Sequence, residues 1–394
     1  MKVLHIGEYV VGGVATYVNE LVSYQRDRFE VYVLMSDYNS AKDFDLEPER
    51  ILRYSYKRSP RHFLSAMRQI HQAIRQIEPD IIHVHSSFAG MLARGLFFFT
   101  RRKASIFYCS HGWSFLMDTK PLRKKAYFMI EKILELKTDF IVNISKYEMQ
   151  QSIRVGMSPA KSRFVYSGLR DRKPEQRERG ERTPVLLPQH EDSEQNASMI
   201  KLLFVGRYDR QKGLDLLLDV FRQYPVLQQH IQLYIIGDRV LEQNEWTFTD
   251  NMIRLGWVNN AEIDHYYEQC DAIIMPSRWE GLPLVALEAM KNRKPVIASN
   301  RSSLPELVTH GVNGYIFELE QLEGLKDILL QLDKSTLVAM GEAGRQLYKE
   351  KFSSDRMNEE FVSLYYEARN VEVSFQTAVT APASRLEISK RNGD

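Results

Sequence analysis

Short runs of apolar residues alternate with stretches of helical periodicity along nearly the whole chain. The short runs have the length of buried strands, and the stretches between them repeat apolar positions every three or four residues, as amphipathic helices do. Strands separated by helices of about 10–15 residues argue for parallel sheets with right-handed crossovers. The pattern therefore predicts an α/β protein.

The predicted strands form two series. In the first half they are Val3–Gly7, Glu30–Met35, Ile51–Tyr54, Ile81–His85, Ser105–Ser110, Phe140–Ile144 and Phe164–Ser167. In the second half they are Leu202–Gly206, Gln232–Gly237, Met252–Leu255, Ala272–Pro276, Pro295–Ser299 and Gly314–Phe317. The helices between them include Gly13–Tyr24, Phe63–Ile77, Lys124–Leu136 and Leu214–Tyr224.

The two series are separated by residues 171–199, which are rich in Arg, Glu, Gln, Pro and Ser and poor in apolar residues, as a linker is. We therefore expect two doubly wound, Rossmann-like domains, residues 1–170 and 200–350. A helix is predicted at residues 355–369, followed by a loose tail over residues 370–394. Ligands of such domains bind at the carboxyl ends of the strands, here facing a cleft.

Residues 276–289, Pro-Ser-Arg-Trp-Glu-Gly-Leu-Pro-Leu-Val-Ala-Leu-Glu-Ala, carry two carboxylates after a predicted strand. Glu280 is expected in the loop, and Glu288 about a turn and a half into the next helix. The free N–H groups and dipole at the start of that helix, at Gly281, Leu282 and Leu284, favour an anion. Amides for a phosphate beside acids for hydroxyls suit a polyhydroxylated phosphate ester; an ordinary helix with two glutamates is the alternative.

A second segment carries two cations. Gly206-Arg-Tyr-Asp-Arg-Gln-Lys-Gly213 follows the first strand of the second series and opens a helix. Arg207 and Lys212 can converge on one point there and neutralise a diphosphate leaving group without a metal. Two surface cations near a turn are the alternative.

Weaker signals lie at other strand ends. Gly12 and Gly13 follow the first strand and let a backbone N–H approach a phosphate closely, although their spacing does not fit the dinucleotide-binding fingerprint. His111 ends a strand before a glycine, where it faces the cleft or bonds to local backbone. His83 and His85 share one face of a strand, but no further ligand has suitable spacing, so no metal site is predicted.

Together these segments resemble the Glu-x7-Glu and Gly-Arg…Lys-Gly motifs of the GT4-like family of retaining glycosyltransferases, which have the GT-B fold. The resemblance spans roughly residues 1–370 and is stronger in the second half. It is loosest at residues 166–170, Tyr-Ser-Gly-Leu-Arg, where the family has Asn-Gly-Val/Ile-Asp.

The resemblance implies roles for particular residues. His111, Arg207, Lys212 and Glu280 would act in catalysis, with His111 contacting the transferred sugar. The residues expected to bind the donor are Gly12, Gly13, Gly237, Trp257, Val258, Gly281, Leu282, Leu284 and Glu288. The turn at Trp257 and Val258 would hold the nucleobase through backbone contacts, and the helix at residues 355–369 would return to the first domain.

Composition excludes several classes of protein. Two distant cysteines indicate neither a disulfide framework nor a metal cluster, and no apolar run approaches a membrane span. The amino-terminal segment reads as a strand and not as a signal peptide. A cytoplasmic protein is expected.

Charge is unevenly distributed. Residues 1–180 carry 30 Lys and Arg against 19 Asp and Glu, a net +11, and the remainder carries 23 against 32, a net −9. Two basic runs, residues 50–75 and 120–128, with Trp113 and Phe115 beside the second, suit docking on the anionic inner face of a membrane. A solvated face is the alternative, and no motif supports nucleic acid.

We therefore expect a retaining, metal-independent glycosyltransferase without a cofactor. It would move a sugar from a nucleotide-diphosphate donor, UDP-linked, to an acceptor in surface polysaccharide or glycolipid biosynthesis. A sugar-nucleotide epimerase of the same fold and a non-catalytic subunit of a polysaccharide assembly complex are the alternatives. The sequence identifies neither the sugar nor the acceptor.

Overall fold

The computed structural model describes residues 1–171, 187, 199–238, 246–259 and 262–369, and the backbone of residues 371–373 and 388–390. The chain divides into two compact units. Unit 1 comprises Met1–Ile144, Met149–Gly168 and Ser354–Asp394, and unit 2 comprises Ser145–Glu148 and Leu169–Ser353.

In the described part of the chain, each unit contains one large sheet. In unit 1 its strands are β1 (Lys2–Gly7), β2 (Glu30–Ser36), β3 (Ile51–Tyr54), β4 (Ile81–His85), β5 (Ser105–Cys109), β6 (Phe140–Asn143) and β7 (Ser162–Phe164). In unit 2 they are β8 (Ile200–Val205), β9 (Ile231–Ile236), β10 (Met252–Gly256), β11 (Ala272–Met275), β12 (Val296–Ser299) and β13 (Gly314–Phe317). All neighbouring strands in both sheets are parallel.

The five predicted helices are found with bounds that differ by at most three residues, and the structure adds others. The helices are α1 (Gly13–Gln25), α2 (Pro60–Ile77), α3 (Ser87–Leu96), α4 (Pro121–Leu134), α5 (Lys146–Val155), α6 (Leu214–Gln223), α7 (Ile263–Gln269), α8 (Leu284–Lys291), α9 (Leu304–Leu307), α10 (Leu322–Leu330), α11 (Lys334–Lys351) and α12 (Ser354–Ala368). None of the described helices is both long and apolar enough to cross a bilayer.

Both sheets have the doubly wound strand order. The order is β3-β2-β1-β4-β5-β6-β7 in unit 1 and β10-β9-β8-β11-β12-β13 in unit 2. In each sheet the order reverses beside the first strand, and the loops that leave the two strands at this point flank a crevice where ligands of such folds bind. The predicted pair of doubly wound domains is confirmed.

The sheet of unit 1 has chemically different faces. Leu4 and Ile6 pack with Ile70 of α2 and Leu92 of α3 in one apolar core. The alternate positions carry His5, whose ring meets those of His83 and His85. Because side chains alternate along a strand, the three histidines share the opposite face.

Some boundaries differ from prediction. β7 ends at Phe164, where the sequence analysis began a strand. Residues 172–186 and 188–198 of the predicted linker lie outside the described residues. In the predicted tail, Val371–Val373 pairs antiparallel with Ile388–Lys390.

Candidate functional site

The two motif segments of unit 2 leave adjacent strands. β8 pairs with β11 at the reversal of strand order, so the loops after Val205 and after Met275 lie side by side. They touch at Gly213, which has φ +71°, and a Cβ there would lie 2.0 Å from the Pro276 carbonyl oxygen. Glycine is therefore required where the loop passes Pro276 and α6 begins.

Lys212 and Glu280 form an ion pair between these loops. Lys212 Nζ lies 2.7 Å from Glu280 Oε1, and Ser277 Oγ donates to the same oxygen at 2.8 Å. The Glu280 side chain is 6% exposed and that of Lys212 18%. The carboxylate is thus held by two donors, and the ammonium group has further protons to offer an anion.

Arg207 lies on the same loop but is about half exposed. Its guanidinium pairs with Asp209 at 2.8 Å and also donates to Gln211 Oε1 at 3.1 Å. Asp209 accepts the Lys212 backbone N–H as well, at 3.1 Å. Asp209 therefore connects the two predicted cations, a role that their spacing in the sequence did not reveal.

Glu288 has a buried partner that sequence reasoning missed. Tyr267 Oη donates to Glu288 Oε2 at 2.7 Å. Burial first, and then Glu288, raise the pKa of Tyr267, so this phenol stays a hydrogen-bond donor at neutral pH. The pair orients the carboxylate on α8, and only the fold brings residue 267 to it.

The start of α8 differs slightly from prediction. Pro283 is the N-cap, with φ −73° and ψ 118°, and the helix begins at Leu284. Glu288 therefore lies about one turn into the helix and not a turn and a half. Leu282 is buried, whereas Gly281 and Leu284 are partly exposed.

The remaining predicted residues of unit 2 lie at the ends of β9 and β10. Gly237 has φ +139°, and a Cβ there would lie 1.9 Å from the Gly206 carbonyl oxygen, so the backbones touch beside the cationic loop. Trp257 is 68% exposed and Val258 is buried. An exposed indole followed by a buried anchor suits a surface that receives a flat ring.

The predicted residues of unit 1 lie at the ends of β1 and β5. Gly12 is the N-cap of α1, which begins at Gly13, and its φ of 55° favours glycine. His111 also has a positive φ, 55°. Its Nε2 lies 3.0 Å from His85 Nδ1, and its Nδ1 lies 3.7 Å from Cys109 Sγ. Burial lowers the pKa of His111 to about 3, so the ring is neutral.

A third histidine joins His83 and His85. One ring nitrogen each from His5, His83 and His85 lies within 4.8 Å of the others. Sequence reasoning missed His5 because it lies on β1, which pairs with β4 only in the folded sheet. Three imidazoles are the ligand type of a zinc site, although His5 and His85 also bond to each other at 3.0 Å.

The structure corrects the aromatic part of the predicted membrane surface. Trp113 and Phe115 are buried, 1% and 5% exposed, and lie in the core of unit 1. Arg58 pairs with buried Glu8 at 2.7 Å. Trp113 and Phe115 therefore belong to the core and are not available to lipid, and Arg58 is about half exposed but already paired.

Helix α4 instead exposes an apolar stripe beside its cations. Leu122, Met129, Ile130 and Ile133 are 79%, 48%, 41% and 52% exposed. Their spacing places them along one side of the helix. Arg123 and Lys125 are also exposed.

Comparisons with known proteins match both halves of the chain. The family model for glycosyl transferases group 1 matches residues 188–347, and the model for glycosyltransferase family 4 matches residues 11–172. An uncharacterized 41.2 kDa protein in the cps region of Klebsiella pneumoniae is 34% identical over 371 residues, 93% of this chain and 99% of that protein.

Two further proteins give a function and a fold for comparison. The O-antigen biosynthesis glycosyltransferase WbnH of Escherichia coli is 26% identical over 327 residues, 82% of this chain and 86% of that protein. The crystal structure of Anabaena HepE in complex with UDP-glucose has a TM-score of 0.72 and 18% identity, over 93% of this chain and 100% of that one.

The family models cover the residues that carry both motif segments of unit 2 and the glycine loop of unit 1. The fold agrees with that of a solved relative over nearly its whole length. The chain therefore belongs to the group 1 glycosyltransferases, the GT4-like family with the GT-B fold.

Proposed function

We propose that this glycosyltransferase is a retaining, metal-independent enzyme that uses a UDP-sugar. The observation that carries the proposal is the Lys212–Glu280 pair at the strand-order reversal of unit 2. It places a cation for a diphosphate beside a carboxylate for a sugar. The complex of Anabaena HepE with UDP-glucose supports the choice of nucleotide.

Each side chain of the site has one task in this proposal. Lys212 and Arg207 neutralise charge that develops on the leaving diphosphate, and preorganised donors of this kind are among the largest contributions to catalysis. The N–H groups at the start of α8 bind the same phosphates. Glu280 accepts hydrogen bonds from the donor sugar.

The nucleoside is held by other residues. Glu288, oriented by Tyr267, accepts hydrogen bonds from the ribose hydroxyls. The turn at Trp257 and Val258 receives the base. Gly12, Gly13 and His111 of unit 1 keep their predicted roles toward the phosphate and the sugar.

The proposed reaction proceeds on one face of the sugar. The bond from the anomeric carbon to the phosphate oxygen breaks as the bond to the acceptor oxygen forms on the same face. The leaving phosphate takes the proton of the acceptor hydroxyl, so the products are the glycoside and the nucleoside diphosphate. Configuration at the anomeric carbon is retained, and no metal ion enters the balance.

The acceptor proposed is a saccharide or lipid-linked precursor of a surface polysaccharide or glycolipid. The names of the relatives support this class, since one acts in O-antigen biosynthesis and another is encoded in the cps region. A lipid-linked acceptor of this kind would be anchored in a membrane by its lipid. The apolar stripe of α4 and its flanking Arg123 and Lys125 suit reversible binding to an anionic bilayer surface.

The test is a panel of nucleotide sugars in thermal-shift measurements, because a ligand that binds the native state raises its melting temperature. UDP-sugars are expected to raise the melting temperature more than GDP- or ADP-sugars. Transfer to a saccharide acceptor, followed by NMR of the product's anomeric proton, then determines the stereochemistry. An inverted product excludes the retaining mechanism, and a requirement for a divalent ion excludes the metal-free one.

The two alternatives are separated by this panel together with analysis of the products formed without an acceptor. An epimerase would interconvert or hydrolyse the nucleotide sugar without an acceptor. A non-catalytic subunit would show no shift with any nucleotide sugar. The intact set of Arg207, Lys212, Glu280 and Glu288 argues against the non-catalytic subunit.

A further inference from the structure

Three histidine rings in unit 1 are linked end to end. His5 Nδ1 lies 3.0 Å from His85 Nε2, and His85 Nδ1 lies 3.0 Å from His111 Nε2. The ring centroids are 5.3 Å apart in both pairs, with interplanar angles of 18° and 24°. Rings that are nearly parallel, with bonded nitrogens this close, form N–H···N bonds in series.

Gln25 lies at one end of this histidine chain, the series of hydrogen bonds from His5 to His111, and it sets which ring nitrogen donates in each bond. His5 Nε2 lies 3.0 Å from Gln25 Oε1, and a carbonyl oxygen can only accept. With the Gln25 amide in this orientation, which leaves Gln25 Nε2 without a hydrogen-bond partner among the described residues, the proton is on Nε2 of His5. Its Nδ1 is then an acceptor, because a neutral imidazole has one donor and one acceptor nitrogen. Gln25 and His5 are fully buried.

The rule of one donor and one acceptor nitrogen applies to each following ring of the histidine chain. His85 must donate from Nε2 to His5, so its Nδ1 accepts, and His111 must then donate from Nε2 to His85. Burial lowers the pKa of His5 to about 4 and that of His111 to about 3. Each ring thus holds a single proton at neutral pH.

We propose that Gln25, His5 and His85 are positioning residues that fix the tautomer and the ring orientation of His111. The far end, His111 Nδ1, is then an acceptor whose neighbour is the Cys109 thiol at 3.7 Å. A thiol is a weak donor, so this nitrogen exchanges its partner readily. Its use toward the sugar rests on the proposed function.

His83 provides an internal control. It lies on the same face of β4 and stacks on His85 with ring centroids 4.3 Å apart. Its Nδ1 bonds to Tyr365 Oη at 2.6 Å, and its Nε2 has no partner among the described residues. It is equally buried but stands outside the chain.

The first test is NMR of ¹⁵N-histidine-labelled protein at pH 7, with the signals assigned by single substitutions. His5, His85 and His111 are expected to be neutral and to carry their protons on Nε2. Gln25→Leu removes the terminal acceptor, so the shifts of all three rings should move together, while Gln25→Glu, whose carboxylate also accepts, should preserve them. Different tautomers among the three rings, or a His111 signal that ignores Gln25→Leu, would overturn the chain.

The second test is kinetic. His85→Leu and Gln25→Leu should each lower kcat about tenfold, as expected for the loss of about one well-oriented hydrogen bond, with little change in KM for the nucleotide sugar. Gln25→Glu should keep kcat near that of the parent, and His83→Leu is the matched control. Equal losses in His83→Leu and His85→Leu would reduce the effect to general destabilisation and overturn the positioning role.

The competing arrangement is a metal site made by His5, His83 and His85. Elemental analysis of the purified protein decides it, because a stoichiometric transition metal that removes the Nε2 proton signals would replace the chain. If no nucleotide sugar is turned over, the NMR result still stands, since it needs no substrate. The failure of this proposal and of the proposed function are therefore distinguishable.

Discussion

Lys212 Nζ lies 2.7 Å from Glu280 Oε1, although 67 residues separate the two along the chain. The pair holds a nearly buried carboxylate in place. The ammonium group lies beside the crevice at which the strand order of unit 2 reverses. Each partner therefore holds the other in position, so their substitutions are expected to have distinct signatures in binding and in turnover.

Lys212→Ala should reduce kcat by about 10²–10³-fold, the usual loss for one preorganised electrostatic donor. It also leaves Glu280 without its cation, so some stability is lost. Lys291→Ala is the matched control, because Lys291 pairs with Asp264 at 2.9 Å in the same unit. Steady-state kinetics beside urea unfolding separates the two effects, and similar kcat losses in both variants would contradict the assigned role.

Arg207→Ala should also lower kcat, in the same range, because Arg207 is assigned to the same diphosphate. Arg207 is about half exposed, so its removal should cost little stability. Chelation of divalent ions should change neither parent nor variant. A strong dependence of turnover on one divalent ion would refute the metal-free clamp.

Glu280→Gln and Glu288→Gln should affect different parts of the donor, the sugar in the first variant and the nucleotide in the second. Glu288→Gln should weaken binding of UDP, since Glu288 is assigned to the ribose hydroxyls. Glu280→Gln should leave UDP affinity nearly unchanged and depress transfer. Isothermal titration calorimetry with UDP measures the difference, and equal losses of UDP affinity would be inconsistent with this division.

Acid should destabilise the protein between about pH 6.5 and 4. Burial lowers the pKa of His5 to about 4 and holds that of His83 well below its usual value. The unfolded chain takes up these protons near pH 6.5, so it binds more protons than the native state in this window. The stability contributed by these neutral rings is fully present above about pH 6.5. Below it, the free energy of unfolding falls by up to about 1.4 kcal/mol per pH unit for each such ring.

Urea unfolding at several pH values checks this slope. His83→Gln removes one titrating ring and should flatten the slope by up to about 1.4 kcal/mol per pH unit. His71→Gln, on partly exposed α2, is the control. An unchanged slope in His83→Gln would show that His83 is not buried in its neutral form.

The pair of Arg94 and Glu131 should be essential to unit 1. Their side chains lie 2.7 Å apart and are 0% and 5% exposed, and Tyr108 Oη donates to the same carboxylate at 2.8 Å. Arg94→Met leaves a buried carboxylate unpaired, which typically costs about 3–5 kcal/mol. Chemical denaturation measures it; a loss under about 1 kcal/mol would mean that water reaches Glu131.

Helix α4 should bind acidic vesicles. Co-sedimentation is expected with anionic liposomes and not with neutral ones, and it should weaken as salt shortens the Debye length to about 3 Å near 1 M. Changing Arg123, Lys124 and Lys125 together to Glu should release the protein from the vesicles. Leu122→Ser with Ile130→Ser, made in protein that keeps these three cations, should weaken its binding.

Two controls accompany the vesicle experiment. Donor binding should persist in the α4 variants, because none of the residues assigned to the donor lies on α4. The change of Arg61, Arg68 and Arg75 on α2 to Glu carries the same charge difference at another exposed surface. Equal release by both triple variants would assign binding to overall charge, and binding to neutral vesicles would remove the electrostatic explanation.

The sequence by itself determined the two doubly wound domains and the order of their elements. Strands such as Ile51–Tyr54, Ile81–His85 and Gly314–Phe317 were predicted with the bounds that the structure has. Apolar runs and helical periodicity are local properties, because they follow from which side of an element is buried. The two segments with Arg207, Lys212, Glu280 and Glu288 could also be recognised from local sequence, because each segment follows a strand and leads into a helix.

Only the tertiary structure decided which side chains meet. Tyr267 donates a hydrogen bond to Glu288, and Asp209 links Arg207 to the Lys212 backbone. His5 bonds to His85 and so belongs to the histidine chain that ends at His111. It also buried Trp113, which sequence reasoning had placed on a membrane surface, and exposed Leu122 instead. The reason is physical: parallel strands bring distant segments together in a register that is set by the packing of the whole sheet, and no local pattern records it.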